Sequence, residues 1–512
     1  MTTERDITMP IPVEIALSIE QQQALEAFRR GDNIFLTGPG GSGKTLLIKN
    51  MVDICKEKSK RVQVCALTGC AAILLNCQAK TVHSWAGIGL ANGEADMIVK
   101  RVIKNKYKVA NWNKIDVLII DEVSMMSQKL FEILDEIGKK RQIPYSQRPF
   151  GGLQIVFSGD FYQLPPVNSN NYASDENYDE TSSAFCFESR RWTATFPTII
   201  QLKTIFRQTD AVYTAILNQI RVGKLYKSSL DILAKHVGKT LPENFKPTIL
   251  LPRRKDAERI NATELSKLQG EQKVYKLAQS QNNNPTATTA GSGGSAKIPK
   301  TTAGLAAAAA AAAANLSRIS PEQIEFELNL LTNSILADKE IVLKKGTQVM
   351  CIANIDMESV LPIVNGSQGI VVDFVGNLPL IRFNNGTTRT VGYHQWVSET
   401  CPTVCVTQIP LIYAWAITIH KSQGVSLDMA EIDAGTNIFE CGQTYVALSR
   451  IKSLDGLYLT DFNAQKIKVN KKVQAYYASI NNVPVVPVAP VLPVAPVVPL
   501  QVPVPIAPVV VG

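Results

Sequence analysis

The stretch Ile34-Phe35-Leu36-Thr37-Gly38-Pro39-Gly40-Gly41-Ser42-Gly43-Lys44-Thr45 decides the fold. Ile34–Leu36 reads as a short buried strand, the glycines as a tight turn, and the residues from Lys44 onward as a helix. Glycines allow backbone N–H groups to turn inward around a phosphate, helped by the N-terminus of the helix that follows. Lys44 is then expected to reach the β- and γ-phosphates of ATP, and the Thr45 hydroxyl to ligate Mg²⁺. A glycine-rich turn with no ligand is the plain alternative, which the strand–loop–helix setting disfavours.

Outward from this loop, Val62–Ala66, Val117–Ile120 and Ile155–Phe157 also read as short buried strands alternating with helical stretches. That alternation predicts an α/β fold with a parallel sheet, whose ligands sit on loops at the carboxyl ends of strands. The strand Val117–Ile120 ends in Asp121-Glu122. An aspartate here can hold Mg²⁺ and the adjacent glutamate can polarise an attacking water, whereas a lone Asp-Glu would more often be an acidic helix cap. The strand Ile155–Phe157 leads into Ser158-Gly159-Asp160-Phe161-Tyr162-Gln163, and the Gln163 amide, donor and acceptor at once, suits a γ-phosphate sensor. Arg207 in Phe206-Arg207-Gln208 and Arg450 in Leu448-Ser449-Arg450 are candidates to clamp the charge developing on a transferred phosphoryl group. Either arginine alone would by default be a surface ion pair.

A chain of 512 residues exceeds a single core, so several domains are expected. Residues 1–200 are assigned to the first α/β domain and 201–475 to a second, interrupted twice. Gln279 to Ser317 is low complexity, including nine alanines at 306–314, and is expected to be a disordered loop with a marginal helical spacer. Residues 346–407, rich in β-branched side chains and bearing the Asn-Gly pairs of VNGSQG and FNNGT, predict a small antiparallel barrel. The net charge of +9 suits a polyanionic partner without demanding one. Nine cysteines without a CxxC pair, and only four histidines, favour free thiols in a reducing, intracellular compartment over a zinc site. The N-terminus, with charges and a proline, does not read as a signal peptide. From residue 476 the chain is read as a tail. Prolines at 484, 487, 490, 493, 496 and 499 exclude a continuous membrane helix and set a polyproline II rod that could dock a protein partner.

Taken in order, the motifs resemble one family. They are LSIEQQQAL (17–25), FLTGPGGSGKT (35–45), LTGCAAILL (67–75), TVHSWAGIGL (81–90), VLIIDEVSMM (117–126), FSGDFYQLPPV (157–167), LKTIFRQTD (202–210), LKKGTQVMCIANID (343–356), VNGSQGIVV (364–372), AWAITIHKSQGVSLD (414–428) and QTYVALSRIKSLDGLYL (443–459). The string is similar to the petite-integration-frequency (PIF-type) DNA helicases, relatives of RecD in superfamily one. The resemblance implies two RecA-like domains with ATP and Mg²⁺ between them, a wedge insertion at about 85–112, an SH3-like barrel, and a monomeric motor moving 5′→3′ on single-stranded DNA and opening duplexes at forks.

Residue by residue, the resemblance implies that Gln21 recognises adenine and that Gly38, Pro39, Gly40, Gly41, Ser42, Gly43, Lys44 and Thr45 hold the nucleotide. Asp121 would serve the metal, and Glu122, Gln163, Arg207 and Arg450 would act in hydrolysis. Gly424 would couple nucleotide to DNA, with Thr68, His83, Thr418 and His420 contacting DNA on loops facing away from the ATP. The wedge carries Lys100, Arg101, Lys104, Lys106, Tyr107 and Lys108, a basic, aromatic-bearing run suited to phosphate contact. A nucleotide switch that binds a partner without unwinding would share the P-loop but would need neither the wedge nor the two arginines. A RecD-like subunit of a nuclease complex is a third reading, with cutting left to a partner.

Overall fold

The computed structural model describes residues 17–481, except 76, 78, 90, 92, 167–179, 242–246, 282–323, 399–403 and short breaks within 326–336 and 357–364. The greater part of the low-complexity insert and the Pro/Val repeat lie outside the described residues.

The first lobe is a six-stranded parallel sheet of β1 (Ile34–Thr37), β2 (Val62–Ala66), β3 (Lys80–Thr81), β4 (Val117–Asp121), β5 (Gln154–Gly159) and β6 (Thr198–Gln201), in the spatial order β3-β2-β4-β5-β1-β6. Strands β1, β4 and β5 are buried along their whole length, as Val/Ile/Phe-rich strands with helices on both faces must be. The four strands expected from the sequence are present within a residue or two, and two short edge strands join them. Because β6 pairs with β1, with Ile34 opposite Thr198, the first sheet continues through Gln201.

The second lobe has a four-stranded parallel sheet in the order Ala416–Thr418, Thr248–Leu251, Ala430–Ala434, Leu457–Phe462. Its core takes Tyr213, Ile216, Leu217 and Ile220 from the helix Ala211–Arg221, which starts where the Asp210 carboxylate accepts the N–H groups of Val212 and Tyr213. These two parallel sheets with flanking helices are the RecA-like α/β arrangement expected.

The antiparallel unit is larger than residues 346–407. Its five-stranded sheet takes Gln348–Cys351, Gln368–Val375, Leu378–Phe383 and Thr388–Thr390, and is completed by Leu411–Tyr413 pairing with Gln348–Cys351. The upstream pair Lys273–Lys276 and Glu340–Leu343 contributes Tyr275, Ile341 and Leu343 to the same core. One of the two Asn-Gly pairs, in FNNGT, turns the hairpin between Leu378–Phe383 and Thr388–Thr390. The other, Asn365-Gly366, ends a longer connection, while Gly376-Asn377 makes the tight two-residue hairpin that the sequence reading passed over.

The expected tail boundary at 476 falls inside a helix. Lys471–Asn481 is α-helical and crosses back onto the first lobe, where Val473 and Tyr477 join the core of Phe35, Phe157, Phe161 and Trp192. The Tyr476 ring stacks on Phe187 at 4.3 Å and its hydroxyl accepts from Trp192 Nε1 at 2.8 Å. The physical reason is composition: Tyr476 and Tyr477 are the last aromatic side chains before the prolines begin, and the aromatic face of the first lobe is where they can be buried. Removing the Tyr477 ring by Tyr477→Ala is expected to destabilise the first lobe by about 3–5 kcal/mol, read as a lowered urea midpoint.

Candidate active site

The P-loop joins β1 to the helix Lys44–Glu57, with Gly43 as its left-handed N-cap at φ 85°. Side chains are excluded here by contact as well as by φ. A Cβ on Gly41 (φ 83°) would lie 2.5 Å from Arg207 Cβ, and one on Gly43 would lie 2.5 Å from Gln21 Nε2. The Lys44 ammonium donates to the carbonyls of Gly38 and Pro39 at 2.8 and 2.9 Å, and burial pulls its pKa down. Gln21 is buried and doubly held: Oε1 accepts from Ser18 N–H in a capping box, and Nε2 donates to the Ser42 carbonyl at 3.2 Å. Gln21 therefore braces the loop as well as flanking it.

Asp121 ends β4 buried, and Glu122, half-buried, follows it. Glu122 has left-handed backbone geometry (φ 58°, ψ 37°), an uncommon choice for a non-glycine residue that turns its side chain into the cleft. It makes no helix-capping bond, so the capping alternative falls. Instead its Oε2 accepts from Gln423 Nε2 of the second lobe at 3.0 Å. Burial first, and the neighbouring Asp121 charge second, push the Glu122 carboxyl up to about 7, against the opposing pull of Lys44, Arg450 and the Gln423 bond. Burial likewise raises Asp121.

Both candidate arginines face this cleft, and neither is a surface ion pair. Arg450 is 2% exposed; its Nε donates to Val446 O at 2.8 Å, Nη2 to Ser449 Oγ at 2.8 Å and Nη1 to Val425 O at 3.4 Å. Burial, and then the like charge of Arg207, bring its pKa down to about 9. Arg207 Nη1 donates to Ser449 O at 3.1 Å and is also lowered by burial. A Cβ on Gly40 would lie 3.7 Å from Arg450 Nη2, which places that guanidinium against the P-loop. Among the described ion pairs, none involves Lys44, Arg207 or Arg450. Three cations, Arg450 buried and Lys44 and Arg207 half-buried, converge with only neutral oxygens as hydrogen-bond partners, an arrangement that favours a polyanion between them.

Gln163 is buried at the same interface, where the carbonyls of Tyr162 and Gln163 press on Gly442, the left-handed N-cap of the helix Gln443–Leu448. Gly424 (φ 80°) directly follows Gln423, so the segment expected to couple nucleotide and DNA does touch the Glu122 side chain through its neighbour.

For a cation, Asp121 and Thr45 offer hard oxygen donors at the ends of β4 and of the P-loop. Among the described residues no cluster of three or more His, Cys, Asp or Glu side chains could hold a metal. The donor set fits Mg²⁺, which keeps several waters and takes phosphate oxygens alongside one or two protein ligands.

The expected DNA residues all follow carboxyl ends of parallel strands: Thr68 after β2, His83 after β3, and Thr418 and His420 at the end of Ala416–Thr418. In the first lobe they are therefore not on an edge opposite the ATP. They share the edge of the P-loop but lie on β2 and β3, with β4 and β5 between them and β1. Thr68 and Thr418 hydroxyls accept from Ala71 N–H and Lys421 N–H, shaping the loops. Burial lowers both histidines, and His420 stacks on the exposed Phe439 ring.

Sequence reasoning missed Gln423, Tyr445 and the pair Asp160–Arg221. The Arg221 guanidinium donates twice to the Asp160 carboxylate, at 2.9 and 2.7 Å, and lies over the Tyr162 ring at 4.6 Å. Tyr162 stacks on Tyr477 at 4.7 Å, and the Tyr477 hydroxyl shares a 2.6 Å hydrogen bond with Thr37 Oγ1. Asp160 sits inside the quoted motif, the one signal that could have marked it.

A PIF1-like helicase sequence profile matches residues 16–228, and one for the DNA helicase Pif1 2B domain matches residues 325–374. The ATP-dependent DNA helicase Pif1 of Bdellovibrio bacteriovorus is 31% identical over 92% of this chain and 93% of its own. The crystal structure of Pif1 helicase from Candida albicans is 33% identical, covers 91% of this chain and 100% of its own, and superposes with a TM-score of 0.70. The chain belongs to the Pif1-like helicase family. Pif1 helicase from Bacteroides in complex with ADP-AlF3 and ssDNA is 27% identical, with a TM-score of 0.61, covering 91% of this chain and 97% of that one. The chain spans just under two thirds, 64% and 65%, of the length of the PIF1 relatives from Danio rerio and Xenopus laevis.

In this family member the buried Asp160–Arg221 pair ties the two lobes, and it should behave as a pair. Asp160→Asn or Arg221→Met alone is expected to cost about 3–5 kcal/mol, whereas the double replacement Asp160→Leu with Arg221→Met recovers most of that loss, measured by denaturant unfolding.

Proposed function

We propose that this chain is an ATP-dependent DNA helicase that moves 5′→3′ along single-stranded DNA and separates duplexes at forks, in DNA replication, repair, recombination or telomere maintenance. The observation that carries the reading is the convergence of Lys44, Arg207 and Arg450, from two lobes, on one P-loop without an anion of their own. Lys44 comes from the first sheet and Arg450 from the second, so a triphosphate held by all three draws the lobes together. Loss of the γ-phosphate removes the charge that holds Arg207 and Arg450 there, and the cleft relaxes. Alternate gripping of DNA by the loops bearing Thr68 and His83 and those bearing Thr418 and His420 turns that closure into a step. The names of the relatives, ATP-dependent DNA helicases, support the same reading.

In this scheme Gln21 and residues 38–45 hold the nucleotide. Glu122, poised near 7, takes a proton from the attacking water, a pKa suited to a general base at neutral pH. Gln163 aligns water and γ-phosphate. Thr45 and Asp121 would hold Mg²⁺, which would supply charge neutralisation to the phosphates. His83 and His420, kept neutral by burial, meet the nucleic acid as hydrogen-bonding and stacking groups, so sequence preference is weak. The helices Ala95–Lys104 and Lys106–Asn113 form the proposed wedge, with Met97 and Tyr107 exposed at 66% each. Buried thiols at Cys55, Cys186 and Cys351 support an intracellular, reducing setting. No helix among the described residues is long and apolar enough to cross a membrane. We assign the motor to the monomer and protein docking to the Pro/Val-rich tail.

Strand displacement is the deciding experiment: a 5′-tailed duplex is opened and a 3′-tailed one is not, while ATP hydrolysis on single-stranded DNA without any displacement would favour the nucleotide switch. Lys44→Ala is expected to abolish ATP turnover and leave single-stranded DNA binding intact in a filter or anisotropy assay. Arg450→Ala keeps ATP binding and loses turnover by about 10³-fold or more. The ATPase rate should fall as pH drops through about 7, because Glu122 must be ionised to act. The Gln423 bond favours the ionised form, so Gln423→Leu moves that acidic limb to higher pH in a pH–rate profile.

A further inference from the structure

The helix Gln443–Leu448 ends at Ser449, one residue before Arg450, and the carbonyls at a helix end need donors from elsewhere. One side chain supplies them on both sides of the arginine. Gln208 Nε2 donates to the Ser449 carbonyl at 3.3 Å and to the Ile451 carbonyl at 3.0 Å, and the side chain is buried. Arg207 Nη1 donates to the same Ser449 carbonyl at 3.1 Å. Both N–H groups of the Gln208 amide are thus taken by carbonyls, which settles which end of it is nitrogen. Its Oε1 is turned the other way, 3.4 Å from where a Gly41 Cβ would stand, and has no hydrogen-bond partner among the described residues. The same short segment meets the P-loop through its backbone, where Phe206 N–H donates to the Gly41 carbonyl at 2.8 Å.

We propose that Gln208 is the positioning residue for Arg450: its amide, bonded to the carbonyls before and after the arginine, sets where the guanidinium stands and ties it to Arg207. The inference rests on Arg450 acting in hydrolysis, and Gln208 acts through that arginine, not on the phosphates. Its two bonds fix the path of the chain through residue 450. The Arg450 bonds to Val446 O and Ser449 Oγ then fix the direction of the guanidinium. Placement matters because the charge to be met develops in the transition state, where an offset of about 1 Å can cost on the order of 10²-fold. The place also selects the residue type: glutamate has no N–H to give, and asparagine is one methylene short. Because Gln208 adjoins Arg207 in the chain, the two arginines form one unit. They leave together when the γ-phosphate goes and return together when ATP closes the cleft.

Gln208→Leu removes the amide and keeps most of the volume. In the full chain with single-stranded DNA, kcat for ATP is expected to fall about ten- to a hundredfold. KM for ATP and the ADP dissociation constant should stay within about twofold, the split expected when an interaction made in the transition state is lost. Affinity for ADP with aluminium fluoride, a mimic of the phosphoryl group in transfer, should fall along with kcat. The decisive measurement is the double variant: with Arg450→Ala already in place, Gln208→Leu should slow turnover by less than about twofold further, because the group it positions is gone. The full loss persisting in that background would overturn the proposal, and so would an unaltered kcat in Gln208→Leu. If Gln208→Leu fails to fold, Gln208→Asn, which keeps an amide but falls short of the two carbonyls, gives the same pair of comparisons. Unaltered turnover in Arg450→Ala alone would instead remove the arginine reading beneath it.

Discussion

A guanidinium taken out of water without an ion-pair partner costs several kcal/mol, and this protein keeps Arg450 in that condition at the junction of its lobes, with the half-buried Arg207 beside it. Arg221, also buried at the interface, shows the contrast. It has Asp160 in a two-bond grip, and that carboxylate raises its pKa, whereas Arg450 is brought down to about 9 by burial and by the like charge of Arg207. One environment satisfies a cation and the other stores it. A stored cation is useful only where an anion arrives and departs, and the P-loop a few ångströms away supplies that place.

The satisfied pair makes the stored one tolerable. Asp160 follows β5, Thr37 ends β1, Arg221 belongs to the second lobe and Tyr477 to the returning C-terminal helix, and all four meet in one hydrogen-bonded, aromatic-stacked cluster. The carboxyl ends of β1 and β5, which carry the P-loop and Gln163, are therefore fixed relative to the second lobe at one point.

The local parts of this arrangement were legible from the sequence. Strand β1, the glycine turn and Asp121-Glu122 at the end of β4 each depend on neighbours within a few residues, so their pattern is written in one short window. Gln423 meets Glu122 across 301 positions, Tyr445 meets Gly40 across 405, and Tyr477 meets Thr37 across 440. No local period encodes such distances. The helix Lys471–Asn481 escaped for a related reason: its apolar face is short, Val473, Tyr476, Tyr477 and Ile480, and it packs on the aromatic surface of Phe161, Phe187 and Trp192, brought together only after folding. The family resemblance supplied Arg207 and Arg450, which residue type alone would have sent to the surface.

The expected wedge shows how charge counted along a sequence differs from charge available in space. Of its basic residues, Arg101 donates to the Ile88 carbonyl and Lys108 to the Gly87 carbonyl, so part of this charge also fastens the segment. Trp85 and Trp112 close its ends with ring centroids 4.7 Å apart, Trp112 wholly buried. The helix Ala95–Lys104 then packs on Gln128–Lys140, the helix that begins just beyond Glu122. The segment expected to form a wedge and the carboxylate poised near 7 are thus packed in the same lobe.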